Sequence, residues 1–438
     1  MQTYADFLAR KRVVARDHGV TPGRIHETLF DFQRKAVDFS LRKGRGALFL
    51  DTGLGKTICQ LEWCRHLPGK KLILAPVAVA AQTVREAETR LGLELDHSRD
   101  GTVRAPVTIT NYERLHLFDT SEFSAVVLDE SSILKSFMGK TKTLLCEKFA
   151  QTPYRLACTA TPSPNDHMEL GNHSDFLGIM PQGQMLARWF INDTSDTGTW
   201  RLKGHAVRSF WEWVASWAVC ASKPSDLGGD DARYVLPPLT THLHTVNAHV
   251  RPNLETGFLF GHSELSATNM HADKRETLKD RVAKAVELSE TGDYCLIWCE
   301  SNAESEALAK AIPDCVEVVG SDDMDEKEAK LDAFSRGEVR VMVTKPSIAG
   351  FGLNWQHCAH VIFASLSYSY EAFYQAIRRT WRFGQTRPVR VDVVIADSEQ
   401  GIWRTVREKM DAHDEMKSAM RTASKHHSVQ PTHETVRI

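Results

Sequence analysis

From Leu29 onward, short apolar runs alternate with amphipathic stretches: Ala47-Leu48-Phe49-Leu50, Leu72-Ile73-Leu74, Val107-Thr108-Ile109, Ala125-Val126-Val127-Leu128 and Tyr154-Arg155-Leu156-Ala157. Runs this short and this continuous fit strands buried on both faces. Such strands separated by helical stretches predict a parallel sheet covered by helices on both sides. The pattern stops near Asn165 and resumes after about Ala248. There a helix over 278–288 precedes strands at 294–299, 316–319, 339–344, 361–363 and 389–395. The expectation is an α/β chain with two parallel-sheet domains.

The segment 166–248 has a different texture. It holds Trp189, Trp200, Trp211, Trp213 and Trp217, half of the ten tryptophans. Phe210, Trp213, Trp217 and Cys220 fall on one helical face and predict the core of a small helical insertion. The run 225–231 reads as a loop, and Leu236-Pro237-Pro238 closes the insertion. The first 28 residues read as a helical extension. A charged helix over 402–420 leads into a polar, mobile tail from Ser424 to Ile438. The divisions expected are therefore 1–28, 29–165, 166–248, 249–400 and 401–438.

A chain of 438 residues has room for two domains of ordinary size. Its 54 basic and 56 acidic side chains leave a net charge of −2, so nucleic-acid affinity could come only from local clusters. The nine cysteines form no C-x-x-C pair, which argues against a zinc module. Cys295 and Cys299 sit in apolar runs and read as reduced core thiols, as a reducing cytoplasm allows. The nineteen histidines form no H-E-x-x-H. No apolar run is long enough for a membrane span, and the polar Met1-Gln2-Thr3 start is unlike a signal peptide. A cytoplasmic chain without a membrane partner is expected.

Three clusters carry chemistry. In the first, the strand ending at Leu50 runs through Asp51 into Thr52, Gly53, Leu54, Gly55, Lys56 and Thr57, and then into a helix over 58–66. Glycines allow backbone N–H groups to wrap phosphate oxygens, and the helix N-terminus adds partial positive charge. Lys56 would reach the β- and γ-phosphates and Thr57 would ligate Mg²⁺. Leu50 stands where the longer G-x-x-x-x-G-K-T pattern has its first glycine. In the second cluster, Asp129 and Glu130 end a buried strand, where α/β sheets bind ligands. Asp129 would hold Mg²⁺, and Glu130 would activate the attacking water. The third is the helix-like stretch Tyr374–Gln385. It places Arg379 and Arg382 three residues apart, on one face, as stabilisers of transition-state charge.

In order and spacing these motifs resemble the superfamily two helicases and, within them, the Swi/Snf-type DNA translocases, from about Leu29 to about Ala396. Leu29-Phe30-Asp31-Phe32-Gln33 is similar to the adenine-reading segment, with Gln33 on the base. Ala75-Pro76 and Thr110-Asn111-Tyr112-Glu113 resemble nucleic-acid-contacting motifs. Asp129-Glu130-Ser131-Ser132 stands for the DEAH-type box, and Cys158-Thr159-Ala160-Thr161-Pro162 for the coupling motif. Gly350-Phe351-Gly352-Leu353-Asn354 is close to G-x-G-L-N. Gln375–Gln385 matches Q-x-x-x-R-x-x-R-x-G-Q. Ser131-Ser132 replaces the box's usual third and fourth residues, and Arg378 stands where an acidic or small residue is common.

The resemblance implies two tandem RecA-like domains with ATP and Mg²⁺ in the cleft between them. Gly352 would join the nucleotide site, Asn354 the nucleic-acid contacts, and Thr159, Thr161, Gln375 and Gln385 the coupling between them. It implies a DNA partner before RNA, with a nuclease or replication protein as a further partner. The chain's economy points to a bacterial or phage source, and so to a bacterial cytoplasm. The competing readings are an ATP-gated switch without motor activity and an RNA helicase.

Overall fold

Each predicted strand of the first half sends alternate side chains to opposite faces, and both faces are dry. Phe49, Leu72, Leu74, Val126 and Leu128 enter one core, whereas Leu48, Leu50, Ile73, Ala125 and Val127 enter another. The computed structural model describes residues 13–76, 79–135, 139–192, 200–247, 274–349 and 353–428. The chain divides into two units, Met1–Tyr234 with Ala412–Ile438, and Val235–Asp411.

The strands of the first unit are β1 (Arg45–Leu50), β2 (Lys70–Ala75), β3 (Leu95–His97), β4 (Val107–Asn111), β5 (Phe123–Asp129), β6 (Tyr154–Cys158), the pair β7 (Phe190–Asn192) and β8 (Trp200–Leu202), and β9 (Ala218–Ala221). Seven of them form a parallel sheet in the order β3-β4-β2-β5-β6-β1-β9. Helices α1 (Asp31–Lys43), α2 (Lys56–His66) and α3 (Ala80–Leu91) cover one face. Helices α4 (Lys140–Lys148), α5 (Glu169–Leu177), α6 (Gln182–Trp189) and α7 (Val207–Ala215) cover the other.

Two expectations are not met among the described residues. Residues 1–12 of the expected helical extension lie outside the described ones, and residues 13–28 hold no helix. They run as irregular chain, tied by Ala15 N–H to Ser216 Oγ (2.9 Å) and by His18 and Val20 N–H to the carbonyls of Lys43 and Leu41. The tryptophan-rich segment is no separate helical insertion either. Phe210, Trp213 and Trp217 are fully buried, but in the core of the first sheet. Cys220 lies on β9, the edge strand beside β1. Helical periodicity and a four-residue buried strand cannot be told apart over so short an apolar run.

The second unit has β10 (Leu239–Val246), β11 (Cys295–Trp298), β12 (Cys315–Val318), β13 (Val341–Thr344), β14 (His360–Phe363) and β15 (Val389–Ala396). They form a parallel sheet in the order β10-β15-β14-β11-β13-β12. Its helices are α8 (Leu278–Ser289), α9 (Asn302–Ala311), α10 (Met324–Ser335), α11 (Pro346–Ala349) and α12 (Tyr370–Ile377); α13 (Gln400–Ser428) begins in this unit, and its residues from Ala412 on belong to the first. Sequence reading missed β10, because its polar, largely exposed residues suit an edge and carry no buried-strand pattern. Helix α13 runs through Ser424, where a mobile tail is expected; residues 429–438 lie outside the described ones. No described helix is long and apolar enough to cross a membrane. All nine cysteines are free thiols. Among the described residues no cluster of three metal-ligating side chains occurs.

The edge strand is fastened by charge. Asp392 on β15 is fully buried, with His360 Nε2 at 2.7 Å, His244 Nε2 of β10 at 2.8 Å and Arg390 Nε at 2.7 Å. Burial pushes its carboxyl upward, but the hydrogen bonds from His360, Arg390 and His244 outweigh this and hold it below the usual carboxylate range. A depressed folded-state pKa contributes stability that is complete above the unfolded carboxylate's pKa of about 3.9 and is lost as pH falls below it. Asp392→Asn is expected to cost about 1–3 kcal/mol at neutral pH, as weakening the partners of a buried hydrogen-bonded carboxylate does. Urea titrations of wild type and variant should converge as pH drops below about 4.

Candidate active site

In a parallel sheet all strand C-termini share one edge. Leu48 of β1 is level with Cys158 of β6, and Cys158 is level with Asp129 of β5. The turns that follow, 51–55, 130–132 and 159–161, therefore emerge side by side, where open α/β sheets bind ligands.

The first turn is built on positive φ values of 95° at Gly53 and 81° at Gly55. Gly55 is the N-cap of α2 and offers no side-chain cap to the N–H groups of the first helical turn, which suits them to an anion. A Cβ at Gly55 would run into the amide of Gln33. That amide is buried; Nε2 donates to Leu54 O at 2.9 Å, while Oε1 accepts from Phe30 N–H at 2.9 Å. Gln33 thus clamps the start of α1 to the glycine loop, and the rings of Phe30 and Phe32 each meet Tyr234 edge to face. Thr52 on the loop and Thr57 in the first turn of α2 are partly exposed, and Leu54 is buried. Lys56 Nζ donates to Leu50 O at 2.8 Å. Burial lowers the Lys56 pKa, opposed by the charges of Glu130, Asp129 and Asp51.

Asp129 accepts from Gln60 Nε2 at 2.8 Å; burial raises its carboxyl pKa against the opposing effects of Gln60 and Lys56. Gln60 lies four residues after Lys56 on α2, hence on the same helix face. That spacing was the sequence signal for it, and it went unread. Tyr112 OH donates to Asp129 O at 2.8 Å. Glu130 has φ 60°, a left-handed conformation that costs a non-glycine residue about 1–3 kcal/mol and marks functional sites. Its Oε1 accepts from Thr159 Oγ1 and, at 3.1 Å, from Ser132 Oγ. Thr161 N–H donates to Thr159 Oγ1 at 3.0 Å, and both threonines are fully buried. Burial lowers the His173 pKa to about 4, so the ring is neutral at pH 7. With Nδ1 on Glu169 O (3.3 Å), Nε2 is left to accept from Ser131 Oγ (3.1 Å). The unusual serines of the box thus have defined partners.

The other predicted residues are placed less simply. Ala75 and Thr110 are wholly buried, which keeps their side chains from direct contact with a nucleic acid in this conformation. Asn111 is buried and caps the turn at Arg114 N (3.0 Å), while Pro76 is partly exposed. In the second unit, α12 ends at Ile377, so Arg379 and Arg382 lie on turns and not on a helix face, contrary to expectation. Arg379 is buried. Its guanidinium donates to Gln375 O and Gln375 Oε1 (both 2.9 Å) and to Leu353 O (3.4 Å). Arg382 is partly exposed and donates to Leu353 O at 3.2 Å. Gln385 staples its loop, donating to the carbonyls of Cys358 and Thr380 and accepting from Thr386 and Arg387 N–H. Asn354 is partly exposed, and its Oδ1 is buried without a hydrogen-bond partner among the described residues. Gly352 lies outside the described residues.

Residues 273–384 match the family described as the helicase conserved C-terminal domain. A Bacillus subtilis (strain 168) protein named as an ATP-dependent helicase/translocase, YwqA, is 24% identical over 480 residues, spanning 94% of this chain and 50% of that protein. The chain therefore spans half the length of that relative. Protein p41 of Acyrthosiphon pisum secondary endosymbiont phage 1 is 24% identical over 441 residues, covering 83% of this chain and 92% of that protein. The Bos taurus DNA excision repair protein ERCC-6-like is 27% identical over 184 residues, 35% of this chain and 15% of its own. Among solved structures, S. cerevisiae Dbp5 bound to RNA and ADP BeF3 superposes with a TM-score of 0.55 at 13% identity, covering 90% of this chain and 93% of that one. The fold is that of tandem RecA-like helicase domains. At the level of family the matches support a superfamily two helicase type.

Proposed function

We propose that the chain is an ATP-hydrolysing motor on nucleic acid, a DNA translocase of the Swi/Snf type. The observation that supports this reading most is the convergence, on one sheet edge, of a glycine loop without a side-chain cap, Lys56, a half-buried Asp129 and a strained Glu130. The donor set fits a magnesium nucleotide. Lys56 and the loop N–H groups offer cations and donors to phosphate, and Thr57 and Asp129 offer hard oxygens to Mg²⁺. Bound there, Mg²⁺ supplies charge neutralisation on phosphate oxygens.

The chain's own residues do the rest. Glu130, held by Thr159 and Ser132, takes the proton of the attacking water. Lys56 neutralises charge on the transferred phosphoryl group. By its resemblance to the helicase arginine motif, Arg382 is assigned the same task, and Arg379, whose guanidinium donates to Gln375 and Leu353, braces the turn that carries it. Because Thr159 holds the base and also starts the coupling motif, a shift of the 159–161 turn would reposition Glu130. That gives nucleic-acid binding a route to the rate. Gly350–Asn354 and Gln375–Gln385, with the likeness to a DNA excision repair protein, favour DNA over RNA.

Steady-state ATP turnover of the full chain, measured alone and with double-stranded DNA, single-stranded DNA or RNA, tests the reading. DNA is expected to stimulate most, with stimulation falling steeply as salt rises. RNA as the best activator would make the chain an RNA helicase, and indifference to all three would make it an ATP-gated switch.

A further inference from the structure

We propose that Lys417 is a positioning residue of the phosphate loop: its ammonium neutralises Asp51, the residue that opens the loop, so that the loop accepts a polyanion. The inference rests on the proposed nucleotide site and adds to it a residue 366 positions away in sequence.

Asp51 follows the last residue of β1. Its N–H donates to Ala221 O (3.0 Å) and its carbonyl accepts from Leu54 N–H (3.2 Å), so its backbone sets both the β1–β9 edge and the first bend of the loop. Asp51 is 6% exposed and Lys417 3%, and Asp51 Oδ1 accepts from Lys417 Nζ. Helix α13 enforces the meeting. His413, Met416, Lys417 and Met420 recur at helical spacing on one buried face, with Met416, Met420 and Ala423 in the first unit's core. One turn on, Arg421 Nη1 stands 3.6 Å from Asp226 Oδ2.

Stability does not explain why this contact is ionic. A buried ion pair is on average no better than apolar residues of the same volume, because desolvation offsets attraction. What the charge does supply is local balance. Among the charges that bear on Lys56 are the carboxylates of Glu130, Asp129 and Asp51 and the ammonium of Lys417. Without Lys417, the carboxylates would lose a counter-charge at the place where a triphosphate must settle.

The test uses the full chain as wild type, Lys417→Met, Lys417→Arg, Asp51→Asn and the Asp51→Asn/Lys417→Met double variant. Binding of a fluorescent ATP analogue is measured with KM, kcat and thermal midpoint. Lys417→Met is expected to weaken nucleotide binding and raise KM about ten-fold or more, a modest share of one buried unit charge, with kcat changed much less. Lys417→Arg should stay near wild type. Removing the second charge in the double variant should restore affinity, and Asp51→Asn alone should bind at least as tightly as wild type. A purely structural contact would lower the thermal midpoint without this reversal. If Lys417→Met does not fold, the other variants decide. Weaker binding by Asp51→Asn, or a double variant that folds but stays weak, overturns the inference, as does wild-type affinity in Lys417→Met. A wild-type chain that binds no ATP overturns the proposed function and this inference together.

Discussion

Glu130→Gln is expected to lower DNA-stimulated ATP turnover by about 10²–10⁴-fold, the usual contribution of a positioned general base. The substitution keeps size and hydrogen-bonding shape but removes the lone pair that would accept water's proton. Thr159 Oγ1 and Ser132 Oγ can still donate to the amide oxygen, so the turn should keep its place. Nucleotide affinity should therefore survive, and the variant should hold ATP without splitting it. Single-turnover hydrolysis alongside equilibrium binding reads both halves of the expectation. Turnover at the wild-type rate would remove Glu130 from the role of base.

Arg382→Ala is expected to cost more, about 10³–10⁵-fold in kcat where an arginine completes the charge on a transferred phosphoryl group, with little change in ATP affinity. Its neighbour provides the control. Arg379 is buried and donates to Gln375 and Leu353 within its own unit. Its removal should lower stability by about 1–3 kcal/mol through unsatisfied buried partners. Two arginines three residues apart are thus expected to fail differently: one in kcat at unchanged thermal midpoint, the other in thermal midpoint first. Equal loss of kcat with unchanged stability in both variants would contradict that division.

The parallel, two-sided architecture was legible because buried parallel strands leave continuous apolar runs. The runs at 47–50, 72–74, 107–109, 125–128 and 154–157 all lie within observed strands. Where one face of a strand is wet, as in β10, or where a strand has four residues between helices, as in β9, the pattern dissolves. The phosphate loop and the acidic box were legible because each is a local sequence with its geometry written into glycine positions and strand ends. The residues that support them were not, because they act across the fold. His173 reaches Ser131 from α5, and Lys417 reaches Asp51 from α13. Gln33 was assigned to a base from resemblance. In the structure its amide is engaged with Phe30 and Leu54, a contact that only the closeness of α1 to the loop discloses. The arginine stretch reads as helix because its composition is helix-compatible, yet the chain turns at Arg378, whose guanidinium lies over the rings of Tyr374 and Trp381.

The central claim is that the edge formed by β1, β5 and β6 holds a triphosphate through Lys56. Equilibrium titration of a fluorescent ATP analogue into wild type and Lys56→Ala, at matched salt and with thermal midpoints in parallel, tests it most directly. The account predicts about 10–100-fold weaker binding in the variant, the worth of one charge-assisted contact to phosphate, at unchanged folding. A well-folded Lys56→Ala chain that binds the analogue as tightly as wild type would contradict it.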